Sequence, residues 1–229
     1  GRGHGRQLDL SELYSRTRPC APRPGGARER RALHPRASRP RKRRRAPLII
    51  VAPTAFLRSR PLASEEEEWR WALESIRAGG EYAEALGVDL TLECWNRYGT
   101  YLLNRLEQAA RLWREIGLPN GGVMADTYHM NVEERSLPEA IRETRDLLNH
   151  VHLSDSNRAA PGQGHIDFGP ILQALVDIDY PGYLTFELDA RAAVRSGVVR
   201  AEDHDDMPGA LMARAIEHVR WLESRLEGV

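Results

Sequence analysis

The chain has 229 residues, enough for one α/β barrel domain with a substantial core. Its 33 basic and 33 acidic residues cancel in total but not in place. Residues 1–46 carry 15 Arg and Lys against 3 acids, and residues 47–229 carry 18 against 30. Two cysteines exclude a disulfide framework, and no apolar run reaches the ~18–20 residues of a membrane span. The basic start is not followed by the apolar stretch of a signal peptide, so a cytoplasmic protein with no membrane partner is expected.

Residues 1–46 have no sustained apolar period. Arg41-Lys42-Arg43-Arg44-Arg45, scattered prolines and Gly25-Gly26 predict a disordered Arg/Pro-rich tail. Either it is an arm for nucleic acid or another anionic surface, or it is an out-of-frame stretch of a GC-rich gene; Lys42 is the only lysine in the chain.

Residues 47–229 read differently. Leu48 to Val51 predicts a buried strand. Ser64 followed by Glu65 to Glu68 predicts an N-cap with acids in the first turn, opening a helix that runs to about Leu86 and stops at Gly87. Val88 to Glu93 predicts the next strand. A second helix is expected from about Thr100 to Ile116, and a strand from Gly122 to Asp126. Ser136-Leu137-Pro138-Glu139 is a capping box with proline in the first turn, so a helix is expected from there to about Leu148. Val151 to Ser154 predicts a strand, Phe168 to Val176 a helix, Tyr183 to Glu187 a strand and Pro208 to Leu226 a last helix. Five strands alternating with helices mean a parallel sheet covered by helices.

Ligands gather at the carboxyl ends of strands in such folds. Here those ends carry Glu93, then Asp126 with His129, then His152 with Asp155 and Arg158, then Glu187; Glu93, Asp126, His152 and Glu187 are spaced 33, 26 and 35 residues apart. A strand plus its return helix takes roughly 30 residues, so the spacing is that of a βα repeat. Any one of the four fits a helix cap, a surface acid or a core histidine. Together, three carboxylates and an imidazole suit a divalent cation such as Mn²⁺, Mg²⁺ or Co²⁺. Without a cation, their convergence would bury several like charges. His150 lies two residues before His152 and faces the same way. Arg158 offers either a fork of donors to an oxygen-rich ligand or a loop salt bridge. Pro161-Gly162-Gln163-Gly164-His165 lets backbone approach something closely and is not a nucleotide motif. Trp95 and Tyr98 either stack on a sugar face or simply pack.

These segments resemble a known family. Leu92-Glu93-Cys94-Trp95-Asn96-Arg97-Tyr98, Asp126 to Glu134, and His152 to Arg158 with Pro161 to Asp167 and Phe186-Glu187 are similar to the sugar phosphate isomerase/epimerase superfamily, nearest its D-tagatose 3-epimerase/D-psicose 3-epimerase branch. The resemblance implies a (β/α)8 TIM barrel of the xylose isomerase-like type. It implies Glu93, Asp126, His152 and Glu187 as metal ligands, with Mn²⁺ foremost. It also implies Glu93 and Glu187 as the catalytic pair, and His129 and Arg158 as contacts to substrate oxygens. The implied activity is a metal-dependent ketose 3-epimerase or sugar isomerase, working on a small sugar or sugar-derived ketone through a cis-enediolate, in dimers or tetramers. Two departures stand out. Gly99 stands where the family often has Glu. The Arg-rich tail stands where three βα units would precede Leu48, so a partial barrel of about five βα units, an open curved sheet, is expected. The other readings are a catalytically impaired fragment and an endonuclease-like nucleic-acid enzyme. The acidic body, without basic clusters interleaved with aromatics, argues against the last.

Overall fold

The computed structural model describes residues 47–58, 60–189, 191 and 207–226. The expectation for residues 1–46 lies outside the described residues.

The strands are β1 (Leu48–Val51), β2 (Asp89–Glu93), β3 (Gly121–Asp126), β4 (Leu148–Leu153) and β5 (Leu184–Phe186). They form one sheet in the order β1-β2-β3-β4-β5, every neighbouring pair parallel. Sequential parallel neighbours require a crossover each time, and the helices supply it. The helices are α1 (Glu65–Ala85), α2 (Leu106–Ile116), α3 (Thr127–Glu133), α4 (Leu137–Glu143), α5 (Phe168–Asp177) and α6 (Met207–Glu223). Among the described residues this is the five-stranded half-barrel of a TIM-barrel-type α/β fold, with β1 and β5 at its edges. The strand expected at Leu48 to Val51 forms, but it is not buried as expected: Ile49 and Ile50 of β1 are each more than a third exposed, because β1 is an edge strand.

Alternation along the strands separates core from site. Side chains two apart share a face. Leu90 and Leu92, Val123 and Ala125, and Val151 and Leu153 are buried in the core with the helices. Thr91 and Glu93, Met124 and Asp126, and His150 and His152 occupy the other face. Helix α1 contributes Ala72, Ile76 and Ala83 to the core, α2 contributes Leu106, Ala109, Leu112, Trp113 and Ile116, and α5 contributes Phe168, Ile171, Leu172 and Leu175. Each fully buried Leu or Ile stabilises by roughly 1.5–3 kcal/mol.

The predicted boundaries hold at some ends and move at others. Ser64 caps α1 as expected, its side chain accepting the Glu67 N–H in a reciprocal capping box. Gly117, in the left-handed region at φ 74°, ends α2. The expected helix start at Thr100 is wrong: α2 begins at Leu106. The Asn104 side chain instead donates to the carbonyls of Trp95 (2.7 Å) and Thr100 (3.2 Å), holding residues 100–105 as a loop over the end of β2. Glu134 then accepts the Leu106 N–H at 2.8 Å. The helix expected from Ser136 to Leu148 stops at Glu143. The Thr144 hydroxyl bonds back to the Ala140 carbonyl (2.8 Å), the chain turns, and Leu148 already belongs to β4. Helix α3 was not anticipated. Asp126 opens it, its carboxylate accepting the N–H groups of Tyr128 and His129.

Candidate metal centre

The carboxyl ends of the strands bring the four predicted residues together. Glu93 ends β2, Asp126 ends β3, His152 is the penultimate residue of β4, and Glu187 directly follows β5. One donor atom from each lies within 4.8 Å of all the others. Glu93, Asp126 and His152 are buried, and Glu187 is partly exposed. His152 Nδ1 is 2.9 Å from Glu187 Oε2 and 3.7 Å from Asp126 Oδ2.

Arg158 completes the cluster. Its Nη1 donates to both Asp126 oxygens (3.0 and 2.9 Å) and to Ser154 Oγ (3.3 Å), and its Nη2 donates to Glu187 Oε2 at 2.6 Å. The guanidinium lies over the Tyr128 ring, 4.5 Å from its centroid. His129 sits beside it. Its Nδ1 accepts the Asn96 N–H at 3.0 Å, so the neutral ring carries its proton on Nε2. The ends of β3 and β4 are tied by Thr127, whose hydroxyl donates to the Ser154 carbonyl (2.7 Å) and accepts the Ser154 N–H (3.0 Å).

Charge in this cluster is unevenly shared. Burial, then the neighbouring Asp126 charge, pushes Glu93 up to about 7. Burial also opposes ionisation of Asp126, but hydrogen bonding to His152 and the Arg158 charge outweigh it and hold that carboxyl well below the usual range. Burial alone would lower His152, yet its bonds to Asp126 and Glu187 raise it to about 9. Burial lowers His129. In this arrangement Arg158 and a protonated His152 balance the carboxylates.

The donor set fits a hard divalent cation. Three carboxylates and one imidazole are an oxygen-rich set of the kind suited to Mn²⁺ or Mg²⁺. Sequence reasoning missed Asn96 and Tyr128 as the groups that orient His129 and support Arg158. Their only signal was adjacency to predicted site residues. Trp95 packs edge-on against Phe56, with ring centroids 5.3 Å apart, and Tyr98 is exposed.

A half-barrel of parallel strands with carboxylates and an imidazole at its strand tips defines an α/β protein of the barrel class with a candidate metal centre. The chain belongs to the xylose isomerase-like TIM barrel family, whose profile matches residues 5–224. It is 40% identical over 120 residues to a D-psicose 3-epimerase of Ruminiclostridium cellulolyticum, covering 52% of this chain and 41% of that protein. It is 34% identical over 161 residues to a 3-dehydro-D-guloside 4-epimerase of Escherichia coli, covering 67% and 58%. Among solved structures, the D-psicose 3-epimerase of Clostridium cellulolyticum H10 with D-tagatose superposes with a TM-score of 0.66 at 29% identity, covering 76% of this chain and 64% of that one. The matched region thus spans between about two fifths and two thirds of these relatives.

Proposed function

We propose that the chain is a metal-dependent ketose 3-epimerase, with Glu93 and Glu187 as the paired acid and base. One observation carries this reading: the two glutamates join Asp126 and His152 within a single 4.8 Å cluster at the strand tips. Relatives named as epimerases of D-psicose and of a 3-dehydro-guloside support it.

Glu93, Asp126, His152 and Glu187 would hold the cation, Mn²⁺ foremost. A bound divalent cation supplies Lewis acidity to a sugar carbonyl and its neighbouring hydroxyl. One glutamate removes the proton from the carbon beside the carbonyl, giving a cis-enediolate. The other returns a proton from the opposite face and inverts the centre. Two carboxylates are required because one base cannot reach both faces of a planar intermediate. Burial and the Asp126 charge raise Glu93 in the metal-free chain; as ligands of the cation both glutamates would be held ionised, the form that takes up the carbon proton. His129, with Nε2–H as its free donor, and Arg158 bind substrate oxygens. Removal of a proton from C1 instead, giving the 1,2-enediolate, with return of a proton to C2, would make the same site an aldose–ketose isomerase. The buried thiol of Cys94 fits a reducing compartment, and we assign the protein to the cytoplasm.

The test incubates the full chain with Mn²⁺ and a ketohexose in deuterated water. Deuterium at C3 of an epimerised ketose supports the reading, and deuterium at C2 of an aldose supports isomerisation. Metal-dependent exchange at neither carbon removes it.

A further inference from the structure

The glycine-punctuated loop after β4 is built around one carboxylate. Asp155 is fully buried. Its Oδ1 accepts the N–H groups of Ser156 (2.7 Å) and Ile166 (3.1 Å), and its Oδ2 accepts that of Gly162 (2.8 Å). Its main chain adds two bonds: its N–H donates to the Ala159 carbonyl (2.9 Å), and its carbonyl accepts the Arg158 N–H (2.8 Å). The glycines make room for this wrap. A Cβ on Gly164 would sit 2.2 Å from Asp155 Oδ1. Gly162 adopts φ 86°, and a Cβ there would lie 2.7 Å from His218 Nδ1 of α6.

Arg158 lies inside this wrap at φ 61°, a left-handed conformation. That conformation is unfavourable for a non-glycine residue, so the surrounding loop must hold it. Its carbonyl also accepts the Asp189 N–H at 2.9 Å, linking the loop to the segment after β5. A loop released from Asp155 would relax toward negative φ and carry the guanidinium away from Asp126 and Glu187.

We propose that Asp155 is a positioning residue: its buried carboxylate gathers the loop backbone so that Arg158 stays at the Asp126–Glu187 pair. The three side-chain bonds described for Asp155 all go to backbone N–H groups of the loop, so it acts through Arg158. The proposal rests on the reading above that Arg158 works at this site.

The test uses the full chain. Asp155→Asn keeps the side-chain volume while turning a donor toward a backbone donor, and Asp155→Glu keeps the charge but displaces it. The first readout is the nitrogen-15 NMR signal of the Arg158 guanidinium, identified by its loss in Arg158→Lys. In Asp155→Asn it should shift to the position of a solvent-exposed arginine, while amides outside residues 155–166 stay unchanged. Asp155→Glu should restore part of the native signal. The second readout is a double-mutant cycle on kcat/KM with Mn²⁺ and a ketohexose. Asp155→Asn should lose roughly 10- to 100-fold, as misplacement of a positioned group does, with no further loss in an Arg158→Ala background. An unchanged guanidinium signal, or losses that multiply in the double variant, overturns the proposal. Failure of Asp155→Asn to fold would make Asp155 a folding residue and also overturns it. If the unaltered chain turns over no ketose, the epimerase reading fails, while the guanidinium signal still decides the role of Asp155.

Discussion

Arg158 donates to Glu187 across 2.6 Å, joining the loop after β4 to the residue that follows β5. The same guanidinium holds the buried carboxylate of Asp126 at 2.9 and 3.0 Å. Arg158→Ala leaves that carboxylate with His152 as its nearest positive partner. Removing one member of a buried ion pair costs about 3–5 kcal/mol, and the partial exposure of Glu187 places the expected loss toward the low end. Urea titration of the metal-free chain measures it, and added Mn²⁺ should recover part of it. A loss below about 1 kcal/mol would show that Asp126 does not depend on the guanidinium.

Glu93→Gln and Glu187→Gln each remove one of the two proposed proton-transfer groups. Each should lower epimerisation by at least about 100-fold. The two variants should differ in what survives. With one base left, a ketose whose C3 proton faces it can still exchange that proton with solvent, whereas its C3 epimer cannot. Proton NMR of both epimers in deuterated water reads this out. Equal exchange of both epimers by either variant would contradict the two-face assignment.

His152 makes the metal-free chain sensitive to alkali. Its folded form holds its proton up to about 9, against 6.5 for the free group. A raised pKa stabilises fully below the unfolded value and is lost as pH rises through the folded one. Glu93, raised from 4.5 to about 7, follows the same sign at lower pH. His150, lowered to about 4 by burial and by His152, acts oppositely, its stabilisation being lost as pH falls from 6.5 through 4. Between pH 7 and 9 the His152 effect stands largely alone. The melting temperature in chelator should fall across that window, and Mn²⁺ should bind more tightly as the competing proton leaves. A flat melting profile together with pH-independent Mn²⁺ affinity would count against this account.

Two glycines should respond oppositely to alanine. A Cβ on Gly121 would lie 2.3 Å from the Trp113 ring and 2.6 Å from the Leu90 carbonyl oxygen. Trp113 is fully buried and cannot yield, so Gly121→Ala should destabilise by about 1–3 kcal/mol. Gly79 lies inside α1 with nothing within 4 Å of its would-be Cβ. Gly79→Ala should therefore stabilise by about 0.5–1 kcal/mol. Thermal melts of the two variants check both signs.

The candidate site was legible because β-strands carry a simple code. In a parallel sheet every strand ends on the same side, so the last inward residue of each of β2 to β4, and the residue directly after β5, reach one region. That rule alone puts Glu93, Asp126, His152 and Glu187 within reach of each other. Helix boundaries were less legible where side chains bond to distant backbone. Nothing local to residues 100–105 announces that Asn104 will hold the carbonyl of Trp95, or that Glu134 will accept the first N–H of α2. Thr144 looks helix-compatible until its hydroxyl bonds backward and the chain turns into β4. Helix α3 hides because Asp126 serves at once as an N-cap and as a member of the charged cluster.

By itself, the order of residues determined the alternation of strands and helices, the parallel sheet, and the four groups at the strand tips, because periodicity and capping act over a few residues. Only the folded chain decided how charge is shared among those groups, which ring nitrogen of His129 carries a proton, and where Arg158 points. Those depend on burial and on partners some 30 residues away in sequence. The glycine-rich loop shows the difference plainly. Its composition announced a close backbone approach, and the tertiary structure supplied what it approaches, the carboxylate of Asp155.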